Sequence, residues 1–167
     1  ASNVNFFLRG VGLNAGGDQL ENPVAVYMDG IYRAAMAGLN LQNFDMERAE
    51  VLRGPQGTLF GRNSSGGLVH FISKRPSDQF QGYLEAGTES YGTIKTEGMI
   101  NTPISDSLAA RFAFATNKND GYVRNDFAGV DPLTGTYPGD FSETDSAAGR
   151  GQLSFKPGED AEVLLRA

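Results

Sequence analysis

Over the second half of the chain, apolar and polar residues alternate with period two. In 93–101, Ile94, Thr96, Gly98 and Ile100 fall on one side, and Lys95, Glu97, Met99 and Asn101 on the other. In 108–116, Leu108, Ala110, Phe112, Phe114 and Thr116 oppose Ala109, Arg111, Ala113 and Ala115. In 147–155, Arg150, Gln152 and Ser154 alternate with Gly151, Leu153 and Phe155, while 81–88 precedes these segments and a fifth begins at Ala161. Period two predicts strands with two unlike faces. Short turns are expected at 103–107 and 157–160, and one long polar loop from about Lys118 to Asp145. Segments of about ten alternating residues, with short turns at one end and a long loop at the other, fit an outer-membrane barrel. A soluble β-sandwich meander alternates too. The pattern leaves both open, and the long loop, uncommon in a compact soluble domain, tips it toward the barrel.

The first half has a different grammar. The apolar run Val24–Met28 predicts a strand closed by the turn signal Asp29-Gly30. The stretch 43–48 predicts one helical turn, capped by Asn43 or Asp45 with acids near its positive end. A second strand is expected over 49–53, ended by Gly54-Pro55, and a third over Gly67–Ser73, ended by Lys74-Arg75-Pro76. The glycine-punctuated stretch 54–67 has no apolar face of its own and is expected to be held by its neighbours. The fold class is therefore an α+β unit, a small mixed sheet with short helices, over 1–79. Antiparallel strands of an incomplete transmembrane β-barrel follow over 80–167.

Charge sharpens that division. The chain has 167 residues and a net charge of −6. Residues 1–79 carry seven basic and seven acidic groups, so the deficit lies after Phe80. Net acidity without a basic stripe argues against nucleic-acid binding. The 22 glycines are about twice the usual share of roughly 7%. No cysteine is present, which excludes disulfides, thiolate catalysis and cysteine-held zinc, and the single histidine, His70, excludes any site needing two. No apolar run is long enough for a transmembrane helix, which does not bear on a barrel. The sequence opens without Met or a signal-like segment and closes inside an alternating stretch, so it reads as a piece of a longer protein.

One ordered set of strings is more specific: Pro23-Val24-Ala25-Val26-Tyr27-Met28-Asp29-Gly30, then 44–63 with Leu52-Arg53-Gly54-Pro55-Gln56-Gly57, then 66–76 with Gly66-Gly67-Leu68-Val69. With Leu8-Arg9-Gly10-Val11 ahead of them and Asp120-Gly121-Tyr122 after, they resemble the plug domain and early barrel of TonB-dependent outer-membrane receptors. His70 departs from the residue many relatives carry there. The resemblance implies a plug within a large barrel in the outer membrane of a Gram-negative bacterium. It implies uptake of a scarce ligand such as a ferric siderophore, with vitamin B12, haem or an oligosaccharide as other cargoes. TonB is the implied energy-coupling partner, pulling on a segment upstream of Ala1, and outer-membrane lipid surrounds the barrel. No cofactor, metal or enzymatic activity is implied.

By the same resemblance, Arg9 and Arg53 pair with barrel-wall glutamates as an ionic latch. A buried guanidinium needs a carboxylate partner and offers it a planar fork, which makes the role chemically sensible. The loops 12–19 and 31–38 are implied to face the ligand, with Leu13, Asn14, Asp18, Tyr32, Arg33 and Met36 as candidate contacts. Arg33 and Tyr32 suit an anionic, hydroxylated siderophore. Other motifs carry less. In 54–67, Gly61 is followed by Arg62-Asn63 rather than Lys-Ser/Thr, so a phosphate cradle is disfavoured against simple backbone packing. Glu47 and Glu50 resemble a carboxylate pair, but Arg48 and Arg53 stand near enough to neutralise them, and no nucleophile–base set accompanies them. His70 is expected to be a packed, hydrogen-bonded strand histidine rather than a ligand. Six carboxylates between Asp120 and Asp145 read as a solvated loop without calcium-loop spacing. The competing classes are a self-contained soluble β-rich binding or adhesion module and, more weakly, a glycine-loop nucleotide enzyme.

Overall fold

A computed structural model describes residues 5–12, 22–33, 43–61, 63–121, 144–158 and 160–167. The chain divides into two compact units, Ala1–Arg75 and Pro76–Ala167.

In the first unit, β1 (Val24–Met28), β2 (Ile31–Tyr32), β3 (Met46–Arg53) and β4 (Gly67–Ser73) form one mixed sheet in the order β2-β1-β4-β3. Strand β1 runs parallel to β4 from Val24↔Gly67 to Met28↔Phe71, and β3 runs antiparallel to β4. The two central strands read as near-continuous apolar runs because both their faces are covered. Val24, Ala25, Val26, Met28, Leu68 and Val69 are buried, with Phe44 beside them. Asp29 and Gly30, both at positive φ, make the two-residue turn that pairs Met28 with Ile31 and Tyr27 with Tyr32. A single helical turn, α1 (Gly57–Phe60), interrupts the glycine-rich stretch.

The helical turn expected over 43–48 is absent. Asp45 adopts φ 50° and the chain enters β3 directly at Met46, with a bulge between Met46 and Arg48. The residues that favour a helix cap, Asn and Asp, also tolerate the left-handed region. The full length of β4 offers Met46–Arg53 a ladder, which outweighs one isolated turn of helix.

The second unit is an antiparallel meander of β5 (Gln81–Glu89), β6 (Thr93–Ser105), β7 (Leu108–Asn119), β8 (Thr144–Gly158) and β9 (Ala161–Arg166), in sequence order. The registers bring residues of like chemistry onto one face. Leu84, Ile94, Ile100, Ile104, Phe112, Phe155, Val163 and Leu165 lie on it and are all exposed. The reverse face carries Tyr83, Glu97, Asn101, Arg111, Arg150, Gln152 and Ser154, and of these Asn101, Arg111, Gln152 and Ser154 are buried. A sheet with its apolar residues outside and its polar residues covered inverts the ordering of a water-soluble layer. The five strands form an open sheet, the incomplete barrel that the alternation predicts.

Strand ends differ from expectation in two places. Strand β6 continues through Pro103 to Ser105, with an irregularity between Pro103 and Ser105, so the turn shrinks to Asp106-Ser107. Proline is tolerated there because the ladder is already broken by the bulge. Strand β8 begins at Thr144 and extends through Pro157 to Gly158. The interior of the predicted long loop, 122–143, lies outside the described residues.

Candidate functional site

The Arg-Gly element is a tight hairpin. Leu8 and Val11 exchange both backbone hydrogen bonds at 2.9 Å, and Arg9 and Gly10 between them have φ 53° and 79°. Two positive-φ residues in a two-residue loop describe a turn that normally takes Asn-Gly. An arginine at its first position accepts a backbone cost and puts the guanidinium at an exposed tip. The hairpin seats on the two adjacent glycines of the resemblance. A Cβ on Gly66 would stand 2.8 Å from Val11 Cγ1, and one on Gly67 would stand 2.8 Å from Leu8 Cδ1 and 2.4 Å from the Leu52 carbonyl. Arg53, the last residue of β3, pairs with Gly67 across the ladder, and its Cα lies 3.4 Å from the same Cβ position. Thus the elements carrying Arg9 and Arg53 meet at Gly67, and only glycine permits the approach. Among the described residues, neither guanidinium has a side-chain partner, and both residues are exposed.

Tyr32 ends β2, and Arg33 follows it out of the sheet. Tyr32 stacks obliquely on Tyr27, with ring centroids 5.7 Å apart, and its hydroxyl oxygen accepts from Asn63 Nδ2 at 2.7 Å. Tyr27 also meets Phe60 edge-on at 5.3 Å and donates its hydroxyl to the Phe60 carbonyl. This aromatic group ties β1, β2 and α1 together and fixes the Tyr32 ring. Arg33 is half-buried and its backbone N–H donates to Val26 O at 2.8 Å. Leu13, Asn14, Asp18 and Met36 lie outside the described residues.

Behind this edge runs a polar chain across the sheet. Asp29 accepts from the Ser73 backbone N–H at 2.9 Å and from the Ser73 hydroxyl at 2.7 Å, closing the end of β4. His70 Nε2 accepts the Gly30 N–H at 3.0 Å, so the neutral ring carries its proton on Nδ1, which faces Glu50 Oε2 at 3.6 Å. His70 is therefore a hydrogen-bonded strand residue between the β1–β2 turn and β3. Glu50 Oε1 accepts from Arg48 Nε at 2.8 Å, and Arg48 Nη1 also binds Glu47. The hydrogen bond from Arg48 holds the Glu50 carboxyl below the ordinary glutamate range, and the same bond raises Arg48. These carboxylates are engaged by Arg48, whereas the sequence pointed to Arg48 and Arg53 jointly. Among the described residues no cluster suited to a metal ion appears.

Two contacts in the second unit had no sequence signal. Asn101, fully buried, accepts the Ser77 N–H at 3.0 Å and donates from Nδ2 to Ser77 O, Ser77 Oγ and Gln79 O at 3.0, 3.1 and 2.6 Å. At the opposite end of the strands, the Tyr91-Gly92 turn receives the Asp120 side chain so closely that a Cβ on Gly92 would collide with Asp120 Oδ2. Asn119 Nδ2 donates to Thr93 Oγ1 at 2.6 Å and its Oδ1 accepts the Gly121 N–H at 2.7 Å, completing that junction.

Residues 1–68 match the family model described as the TonB-dependent receptor plug domain. The pesticin receptor of Yersinia pestis is 29% identical over 126 residues, which is 75% of this chain and 19% of that protein. The structure of the ferric yersiniabactin uptake receptor FyuA from Yersinia pestis aligns with a TM-score of 0.66 at 27% identity, covering 82% of this chain and 20% of its own. The pyoverdine outer membrane receptor FpvA of Pseudomonas aeruginosa PAO1, bound to pyoverdine, shares the fold with a TM-score of 0.73 at 22% identity, over 97% of this chain and 21% of its own. The chain thus spans about a fifth of the length of the relatives it matches.

Proposed function

We infer, from the premise that this chain carries the plug domain of a TonB-dependent receptor with the first strands of its barrel, that the whole protein takes up a ferric siderophore across a Gram-negative outer membrane. TonB supplies the energy through a segment upstream of this chain. The observation that carries the reading is the inverted sheet. Leu84, Ile100, Phe112, Phe155 and Leu165 stand exposed on one continuous face, where hydrocarbon rather than water is the stable neighbour, and the reverse is polar, as an aqueous lumen requires.

Relatives named for ferric yersiniabactin and for pyoverdine make an iron-loaded siderophore the first ligand to test. Vitamin B12, haem and oligosaccharides come after it. The proposed ligand contacts are Arg33 and Tyr32, together with Leu13, Asn14, Asp18 and Met36. Tyr32 suits this task because Asn63 and Tyr27 hold it in place while its own O–H is left to donate. Arg9 and Arg53 serve as the latch to carboxylates of the completed barrel wall, which accounts for two exposed guanidinium groups on elements that meet at one glycine. The function needs no catalysis by this chain.

The direct test is uptake of radiolabelled iron, presented on a siderophore panel, by cells with and without the full-length gene. Loss of uptake of one siderophore on deletion, and equal loss when TonB is removed, is the expected result. A protein that fractionates as a soluble species, or uptake indifferent to its deletion, overturns the reading. For the latch, the full-length Arg53→Ala receptor is expected to expose plug amides to faster hydrogen exchange, and wild-type protection would refute it.

A further inference from the structure

The first barrel strand begins at Gln81, and the chain reaching it does not hang free. Ser77 and Gln79 are folded onto Asn101, which sits on β6 directly opposite Gln81. Asn101 is wholly buried, and both polar atoms of its side chain are engaged: one acceptor on the Ser77 N–H, and one amide group on three oxygens of Ser77 and Gln79. Its neighbour Ile100 is exposed on the apolar face, so strand alternation puts Asn101 on the polar face. The approach to β5 is therefore fastened on the polar side. Asparagine is suited to this because its planar amide offers an acceptor and two donors at once. An apolar residue there would take the amide from four groups, the Ser77 N–H, O and Oγ and the Gln79 O, leaving Ser77 Oγ and Gln79 O with their long 3.5 Å bond to one another.

We propose that Asn101 is a staple marking where movable chain ends. Chain drawn from upstream comes taut at Ser77, and the load passes into β6 before it reaches the Gln81↔Asn101 rung. This rests on the receptor reading for its purpose, since a plug displaced at each transport cycle needs a fixed attachment. The staple itself is a property of the geometry, and its test supplies its own force.

The experiment is single-molecule pulling on the full-length receptor in a supported bilayer, with the barrel held and the N-terminus attached to a bead, alongside hydrogen exchange. Wild type is expected to pay out chain up to Pro76 and stop. Asn101→Ala should release residues 77–80 in addition, a longer endpoint by about 1.4 nm at roughly 3.4 Å per residue. The Ser77 amide should exchange about tenfold or more faster, as expected when a buried bond opens locally. Asn101→Asp keeps the acceptor for the Ser77 N–H but turns a carboxylate oxygen on three acceptors, so it should lengthen the endpoint without removing volume. Ligand affinity should be unchanged in both. Wild-type endpoints and wild-type Ser77 exchange in both variants would overturn the staple. Endpoints that lengthen together with lost ligand binding would also overturn it, because the residue would then be supporting the whole fold. Failure of the receptor reading would instead show as absent siderophore uptake in the wild type, with the pulling result intact.

Discussion

The two units use the same β ladder against opposite surroundings. In the first, the apolar residues of β1 and β4 are sealed between covered faces, and exposure falls on the charged edge strand β3. In the second, large apolar side chains such as Leu84, Ile100, Phe112 and Leu165 are exposed, and an arginine, an asparagine and a glutamine are among the buried. Burial alone would call the second unit badly folded. Its registers show the opposite: Ile100 pairs with Phe112, Phe112 with Gly151, and Phe114 lies over Gly98, all on one side. The lesson is that an alternating strand specifies which of its faces differ, and the surroundings decide which one is inside.

The sharpest way to break this contrast is a paired truncation in the full-length protein. Leu68→Ala leaves a cavity in a sealed core and should cost the first unit about 2–5 kcal/mol, read from exchange of the β1 and β4 amides. On the proposed barrel reading, Leu84→Ala faces hydrocarbon that can fill the gap, and should cost under about 1 kcal/mol on the scale of surface changes. Equal losses would mean that protein, not lipid, covers Leu84. Next in size is Phe112→Arg, expected to destabilise folding into lipid vesicles by about 2–4 kcal/mol if it lies near the bilayer midplane. A neutral outcome in a denaturant titration would remove the membrane assignment of that face. Asp29→Ala takes two acceptors from Ser73 and puts alanine at positive φ, for a loss of about 2 kcal/mol confined to the first unit.

The smallest effect is one of pH. The Glu50 carboxyl is depressed in the folded chain, first by its hydrogen bond from Arg48. A depressed acid stabilises the fold above its unfolded titration range, near pH 4.5, and the contribution disappears as pH falls through the lower folded value. Glu50 is exposed, so the change should be slight and should vanish in Glu50→Gln, measured by denaturation at pH 7 and pH 3.

Much of this was legible in the chain because it is local. Alternation named the faces of β6, β7 and β8, and Asp29-Gly30 named a turn. Strand β3 was half missed because Met46-Glu47-Arg48 lies at a sheet edge, charged on both sides, where no hydrophobic period can appear. The roles of Gly66, Gly67 and Gly92 were not legible either. Gly66 answers to Val11, Gly67 to its positive φ and the Leu52 carbonyl across the ladder, and Gly92 to its positive φ with Asp120 lying against it, all partners far off in sequence. Asn101 looked like one more polar residue on a polar face, since nothing local shows that Ser77 and Gln79 fold back onto it.

The seat that Gly92 makes for Asp120 has a consequence for divergence. It settles the point and heading at which the chain leaves β7, using only Tyr91, Gly92, Thr93, Asn119, Asp120 and Gly121. Whatever follows Gly121 can lengthen, shorten or change composition without asking the strands to re-register. Descendants of such a gene can vary that stretch while inheriting the same strands.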